Sequence, residues 1–183
     1  MFVRTRRLTL RPGWIEDAPA LAQAVGHRAV VEKLASLPFP YTIADAEAFL
    51  TAPRAIDTPS FLMFEHRGDT VRLVGGIGVD RRGVHGAAGD LDLGYWVTPD
   101  AWGRGLATEA GLAVVATLRA TLRVTRLVSG HFADNPASGR VLAKIGFRPT
   151  GLSEKRWSQA RGCEADCVLF ELDDGAGDTR LAA

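Results

Sequence analysis

The chain has 183 residues and a mass of 19.6 kDa, which suits one domain and leaves little room for a second. Its 22 Lys and Arg offset 21 Asp and Glu to give a formal charge of +1, so no general basic field draws it to DNA, RNA or an anionic membrane. The longest apolar run, near residues 112–118, is too short to span a bilayer. The N-terminus lacks a secretory stretch, and two cysteines, Cys163 and Cys167, rule out a disulfide scaffold, so a soluble cytoplasmic protein is expected.

Residues 3–11 alternate, with Leu8 and Leu10 on one side, and read as a strand broken by Pro12-Gly13. Asp17 is placed to cap a helix over 18–26 with the stripe Leu21, Ala22, Ala24 and Val25. A short helix follows at 30–34 and a Pro-rich loop at 38–41. Thr42 then caps a helix through Leu50, with Asp45 completing a variant of the capping box. Residues 61–66, 71–79 and 91–98 read as three strands of an antiparallel meander, the second interrupted by Gly75, Gly76 and Gly78. A Gly-rich loop over 80–89 precedes the third.

A helix is expected from Ala107 to about Ala120, turning Leu112, Val115, Ala116 and Leu118 to a sheet. A strand over 125–131 and a helix from Asn135 through Lys144, closed by Gly146, come next. The last strands are 147–152 and 163–172, joined by a loop through 157–162. Residues 1–172 thus form a single α/β domain, and 173–183, rich in Asp, Gly and Ala, read as a disordered tail. If the strands before and after the 107–120 helix share a sheet, they run parallel.

The most informative segment is Trp102-Gly103-Arg104-Gly105-Leu106-Ala107-Thr108-Glu109-Ala110, where a strand enters a Gly-rich turn that opens a helix. Glycine permits close backbone approach, and the first helical amides are unpaired and favour an anion. A phosphate or pyrophosphate therefore suits residues 103–108. The nucleotide-triphosphate loop needs a Gly-Lys pair, which the chain lacks, and the dinucleotide fingerprint fails at Thr108. A plain turn without a ligand is the other reading of so short a motif.

The segment resembles the acetyl-CoA pyrophosphate loop of the GCN5-related N-acetyltransferases (GNAT), with Gly105-Leu106-Ala107 as its core. Trp102 stands where Gln or Arg is usual. That departure is similar to the RimJ/RimL-type branch, whose loop reads W-G-K/R-G-x-A-x-E-A. Upstream, Asp92-Leu93-Gly94-Tyr95-Trp96-Val97 resembles that branch's E-L/I-G-Y-W strand, with Asp for Glu. Downstream, Asn135 to Leu142 and Gly146-Phe147 resemble its N-x-x-S-x-x-V/L…G-F helix. The resemblance covers about residues 3–172. It implies a mixed, mostly antiparallel central sheet with a parallel splayed strand pair, flanked by helices.

It also implies acetyl-CoA as co-substrate, with no metal, and acetyl transfer to a primary amine of a small molecule or a protein N-terminus. The pantetheine would lie in the splay beside the backbone of Trp96 and Val97. The pyrophosphate would sit on Trp102, Gly103, Arg104, Gly105, Leu106, Ala107 and Thr108, with Arg104 adding a positive charge or remaining a solvated loop residue. Asp92 is the first candidate for the base or water-holder, against a purely structural carboxylate, with Asp90 as fallback. His131 ends the other strand of the splay and has a pKa range suited to accepting the amine proton, though a lone His is often structural.

The tyrosine that many relatives use to protonate the leaving thiolate aligns with Leu142. Ser138 resembles a substitute donor, against a plain first-turn serine, and Asn135 is a helix cap and a CoA contact. Tyr95 and Trp96 alternate, one toward the core and one toward the ligand. Trp14, Trp102 and Trp157 read as core or anchor residues, and His27, His66 and His85 as structural.

Acceptor selectivity would come from the helices within 18–50 and the loops 80–90 and 157–162. Arg81, Arg82 and Arg161 there either favour an acidic acceptor or are simply solvated. The missing tyrosine and the Asp-for-Glu change leave open a non-catalytic acyl-CoA-binding or sensor protein on the same fold. Monomer and homodimer both stand.

Overall fold

The computed structural model describes residues 1–81 and 90–173. Its strands are β1 (Val3–Arg4), β2 (Leu8–Arg11), β3 (Ser60–Arg67), β4 (Thr70–Asp80), β5 (Leu91–Val97), β6 (Arg126–Phe132), β7 (Arg148–Ser158) and β8 (Cys163–Asp173). The helices are α1 (Ala18–Val25), α2 (Arg28–Val31), α3 (Ile43–Thr51), α4 (Leu106–Leu122) and α5 (Pro136–Ile145). All eight strands join one sheet in the order β1-β2-β3-β4-β5-β6-β8-β7, antiparallel except at β5–β6.

The period of two divides the side chains between two layers. Phe61 and Met63 of β3 and Leu91 and Leu93 of β5 pack under α4 and α5, with Leu106, Val114, Leu118 and Leu142. Leu62 and Phe64 of β3 and Trp96 of β5 face the opposite way, toward α1, α2 and α3. The meander β3–β4–β5 forms as its alternation indicates. Two glycines of β4 make room for β5: a Cβ on Gly76 would lie 2.5 Å from the Trp96 indole nitrogen, and one on Gly75 2.4 Å from the Trp96 carbonyl oxygen.

Several elements differ from expectation. Residues 3–11 form a hairpin, Val3 opposite Leu10, because Thr5 closes a turn with the Leu8 amide and carbonyl. Asp17 makes no side-chain cap for α1; its carboxylate instead takes both ends of the Arg11 guanidinium and the Trp14 amide. The Thr42–Asp45 capping box does form. On α4 the buried stripe is Leu106, Ala110, Gly111, Val114, Val115 and Leu118, leaving Leu112 half exposed. The helix is apolar on several sides, and the small Gly111 is what admits Ile145 of α5.

β7 continues through Trp157, so the connection to β8 is a tight turn rather than a loop from 157. Trp14, Trp102 and Trp157 are each about half exposed and none is a core residue. Position 173 belongs to β8; the remainder of the expected tail, and Arg82, His85 and most of the 80–89 loop, lie outside the described residues. Among the described residues no helix is long and apolar enough to cross a membrane.

Because the Gly75 site is filled by a backbone oxygen, Gly75→Ala is expected to destabilise the fold by about 1–3 kcal/mol, read as a lowered midpoint in urea denaturation.

Candidate active site

β5 and β6 pair only at Leu91–Leu127 and Asp92–Val128. Beyond that point the Ser129 hydroxyl donates to the Leu93 carbonyl at 2.8 Å, and the strands part. Each stays held on its outer side, β5 by β4 as far as Val97 and β6 by β8 as far as Phe132. The opening is a cavity of about 890 Å³ that passes through the sheet, from Tyr41 and Phe49 on one face to Gly103, Gly105 and Thr108 on the other. A side chain on Gly94 would meet nothing within 4 Å, so the β5 rim of the opening is clear.

On the α4 side, Gly103 and Gly105 adopt left-handed φ of 72° and 75°, and Gly105 is the N-cap of α4. The amides of Leu106, Ala107 and Thr108 head the helix, where an anion is favoured. The Leu106 side chain is buried in the core, so only its backbone can serve a ligand. Trp102 anchors the loop by donating its indole N–H to the Val97 carbonyl at 2.7 Å. That carbonyl, expected to pair with a pantetheine, thus already has a donor.

The two charged residues of the loop motif brace it. Arg104 turns its guanidinium onto Glu65, which is 2% exposed, through two contacts. Arg104 is thus not a merely solvated loop residue, since its charge is matched by a buried carboxylate. Glu109 accepts from the Thr5 hydroxyl at 2.6 Å, the Arg7 amide at 2.9 Å and Arg7 Nε at 2.7 Å. Arg7 also donates to the Arg104 carbonyl at 2.9 Å, tying the β1–β2 turn to the loop. Glu65 left a trace in the sequence, since it shares an inward face with Phe61 and Met63 and is the one charge there. Arg7 left none.

Asp92 lies on the α1–α3 face, following the alternation of Trp96. Its nearest cation is Arg156 of β7, with Nη2 3.6 Å from Oδ2. Desolvation pushes the Asp92 pKa up to about 6; Arg156 opposes the rise, and the charges of Asp80 and Glu154 add to it. Arg156 was not anticipated, because it lies between the expected strand ending at 152 and the loop from 157, and it meets Asp92 only across the sheet. The Nη2 atom is buried without a hydrogen bond of its own.

Asp90, the fallback, is instead bound to Arg126 at 3.0 Å. Arg81 pairs with Asp57, and Arg161 with Asp134 at 3.1 Å and the Glu32 carbonyl at 2.6 Å, so neither is merely solvated. The 157–162 turn does not line the cavity, whereas α1, α2 and α3 do.

His131, Asn135, Ser138 and Tyr95 line the cavity toward α5. His131 Nδ1 donates to the Phe132 carbonyl at 2.8 Å, which turns Nε2 to α5 at Gly139. By strand alternation His131 and Asp92 belong to opposite faces of the sheet. Asn135 occupies the N-cap position of α5 but its side chain makes no cap, contrary to expectation. The Tyr95 hydroxyl is 2.7 Å from Ser138 Oγ and 3.0 Å from the Ser138 carbonyl, and burial pushes its pKa up to about 12. Tyr95 stood in the quoted motif, yet only the structure shows where its hydroxyl ends. Leu142 is fully buried.

His66 bonds Thr9, a structural role. Cys163 and Cys167 are free, one exposed and one buried. Among the described residues no three His, Cys, Asp or Glu side chains gather as a metal site requires.

The Acetyltransferase (GNAT) domain model matches residues 7–148. The chain belongs to the GNAT acetyltransferase family. Membership makes it an acetyl-CoA-dependent acetyltransferase. It is 30% identical over 181 residues to the uncharacterized N-acetyltransferase YoaA of Bacillus subtilis (strain 168), covering 93% of this chain and 95% of that one. A GNAT-family acetyltransferase from Bacillus anthracis has the same fold, with a TM-score of 0.77 at 21% identity over 94% of this chain and 98% of the other. So does RimL, the ribosomal L7/L12 α-N-protein acetyltransferase, solved with coenzyme A, at 0.78 and 17% identity over 94% and 98%.

Arg104→Ala would leave Glu65 as an unpaired buried charge. Stability is expected to fall by about 3–5 kcal/mol, measured as a loss in melting temperature.

Proposed function

We propose that this chain transfers the acetyl group of acetyl-CoA to a primary amine, on a small molecule or a protein N-terminus, by direct attack in a ternary complex. The observation that carries the reading is one cavity through the sheet joining the glycine-rich head of α4 on one face to the desolvated Asp92 on the other. The RimJ/RimL-type branch is supported by the loop motif with its Trp102, and by the Ser138 and Asn135 positions on α5.

The residues fit acetyl-CoA in order. Two left-handed glycines and the amides of 103–108 suit a pyrophosphate. The parted edge of β5 around Trp96 offers backbone groups to an amide-bearing arm, much as a sheet edge takes an added strand. The arm would bring its thioester to the splay between Ser138 and Asp92. The acceptor enters from the α1–α3 side, past Tyr41, Phe49 and Trp96. Asp92 takes the amine proton, directly or through water, while the amine forms the C–N bond and the C–S bond breaks. The electron pair of that bond goes to sulfur, next to Ser138. His131 lines the opening on the α5 side, across the sheet from Asp92, and in this reading it faces the CoA arm rather than the amine.

Free thiol is expected when the protein meets acetyl-CoA and an amine drawn from peptides, aminoglycosides, amino acids and polyamines. Binding of acetyl-CoA without thiol release across the panel would favour a sensor. Gly105→Glu, which places bulk and negative charge at the pyrophosphate site, should abolish acetyl-CoA binding in calorimetry while the circular dichroism spectrum is kept.

The base must be ionised to work, so kcat/KM should climb as pH rises through about 6 and then level. This limb lies below the range of ordinary α-amines, about 7.7–8.0, and is separable from it. Asp92→Asn should lose the limb and about 100-fold in rate, with acetyl-CoA affinity retained. A stopped-assay pH–rate profile of both proteins tests this.

A further inference from the structure

We infer that Tyr95 is a positioning residue for departure of the CoA thiolate, acting through the hydroxyl of Ser138; the inference rests on the acetyl-transfer reading above. Tyr95 comes from β5 and Ser138 from the first turn of α5, 43 residues apart, yet their hydroxyl oxygens are 2.7 Å apart. Both line the cavity on the side that faces the parted strands.

A tyrosine hydroxyl has one proton, and two acceptors compete for this one: Ser138 Oγ at 2.7 Å and the Ser138 carbonyl at 3.0 Å. When Tyr95 donates to the carbonyl, Ser138 must donate to Tyr95, and the serine proton is consumed. When Tyr95 donates to Oγ, the serine proton is free to turn into the cavity that both residues line. Only the second arrangement offers a donor to sulfur. Tyr95 thus fixes both the direction of the Ser138 hydroxyl and the availability of its hydrogen.

The step balances without further reagents. The amine nitrogen forms a bond to the acetyl carbon and gives its proton to Asp92. The C–S bond breaks, and its electrons become a sulfur lone pair that accepts the Ser138 O–H hydrogen bond. The thiolate then takes one proton from solvent, matching the one Asp92 returns. Burial pushes the Tyr95 pKa up to about 12, above that of an alkyl thiol, so the pair acts by hydrogen bonding rather than by full proton transfer. Leu142 of α5 is fully buried and supplies no hydroxyl, and the strand provides one instead.

The test compares calorimetric affinities of CoA and desulfo-CoA at pH 7 and pH 9 for the wild type, Tyr95→Phe and Ser138→Ala. In the wild type the preference for CoA should grow about tenfold on going to pH 9, as the thiol ionises onto the pair. In both variants it should stay within about twofold. Tyr95→Phe should also lower kcat at least about tenfold with KM for acetyl-CoA little changed. The double variant should be no slower than the slower single one. A wild-type preference that does not change with pH, or a Tyr95→Phe protein that keeps the wild-type preference and kcat, overturns the inference. If Tyr95→Phe does not fold, Ser138→Ala carries the same affinity expectation alone. Failure of the wild type to bind either nucleotide overturns the acetyl-CoA reading as well, and is distinguishable on that account.

Discussion

Two strands that pair for two residues and then part determine what this molecule can do. The ladder between β5 and β6 ends at Asp92 and Val128, and the Ser129 hydroxyl takes the place of the next backbone donor. Parallel strands held on their outer sides by β4 and β8 cannot drift apart altogether. The gap is therefore a fixed opening in an otherwise continuous sheet. The two faces communicate through it, and each face presents a different chemistry to it.

The α4 end of the opening is built from backbone, which has a consequence for charge. Amides at a helix head attract an anion without any free cation, so the near-neutral composition is no obstacle to binding a highly charged nucleotide. The motif's own charges serve the loop. Arg104 neutralises the buried Glu65, and Glu109 gathers Thr5 and Arg7. A loop carrying two left-handed glycines has little stiffness of its own, and these contacts with β1–β2 and β3 hold its amides in place.

On the other face the balance of desolvation and charge is closer. Burial raises Asp92 and Arg156 restrains the rise, leaving a carboxylate that is ionised near neutrality yet poorly solvated. That is the condition a general base needs. The α5 side is arranged for the opposite task, with hydroxyls that stay protonated. In the proposed reaction the sheet would separate a proton-accepting wall from a hydrogen-bond-donating one, with the thioester between them.

Local signals carried much of this. The meander, the Thr42–Asp45 capping box, the Gly146 stop and the glycine turn before α4 are short-range devices, written within a few residues of where they act. The same holds for the family motif from Trp102 to Ala110. The phase of α4 was misjudged because that helix is apolar on more than one side, and Gly111 decides it only by touching Ile145. Trp157 was placed in a loop because β7 is an edge strand whose exposure follows no clean alternation. The sequence by itself determined the fold class, the glycine turn that heads α4 and the residue types of the candidate site. Tertiary structure alone decided which of them act together: Asp92 with Arg156, Arg104 with Glu65, Tyr95 with Ser138. Each pair spans tens of residues, and only the register and twist of the sheet set such separations to a hydrogen-bond or ion-pair distance.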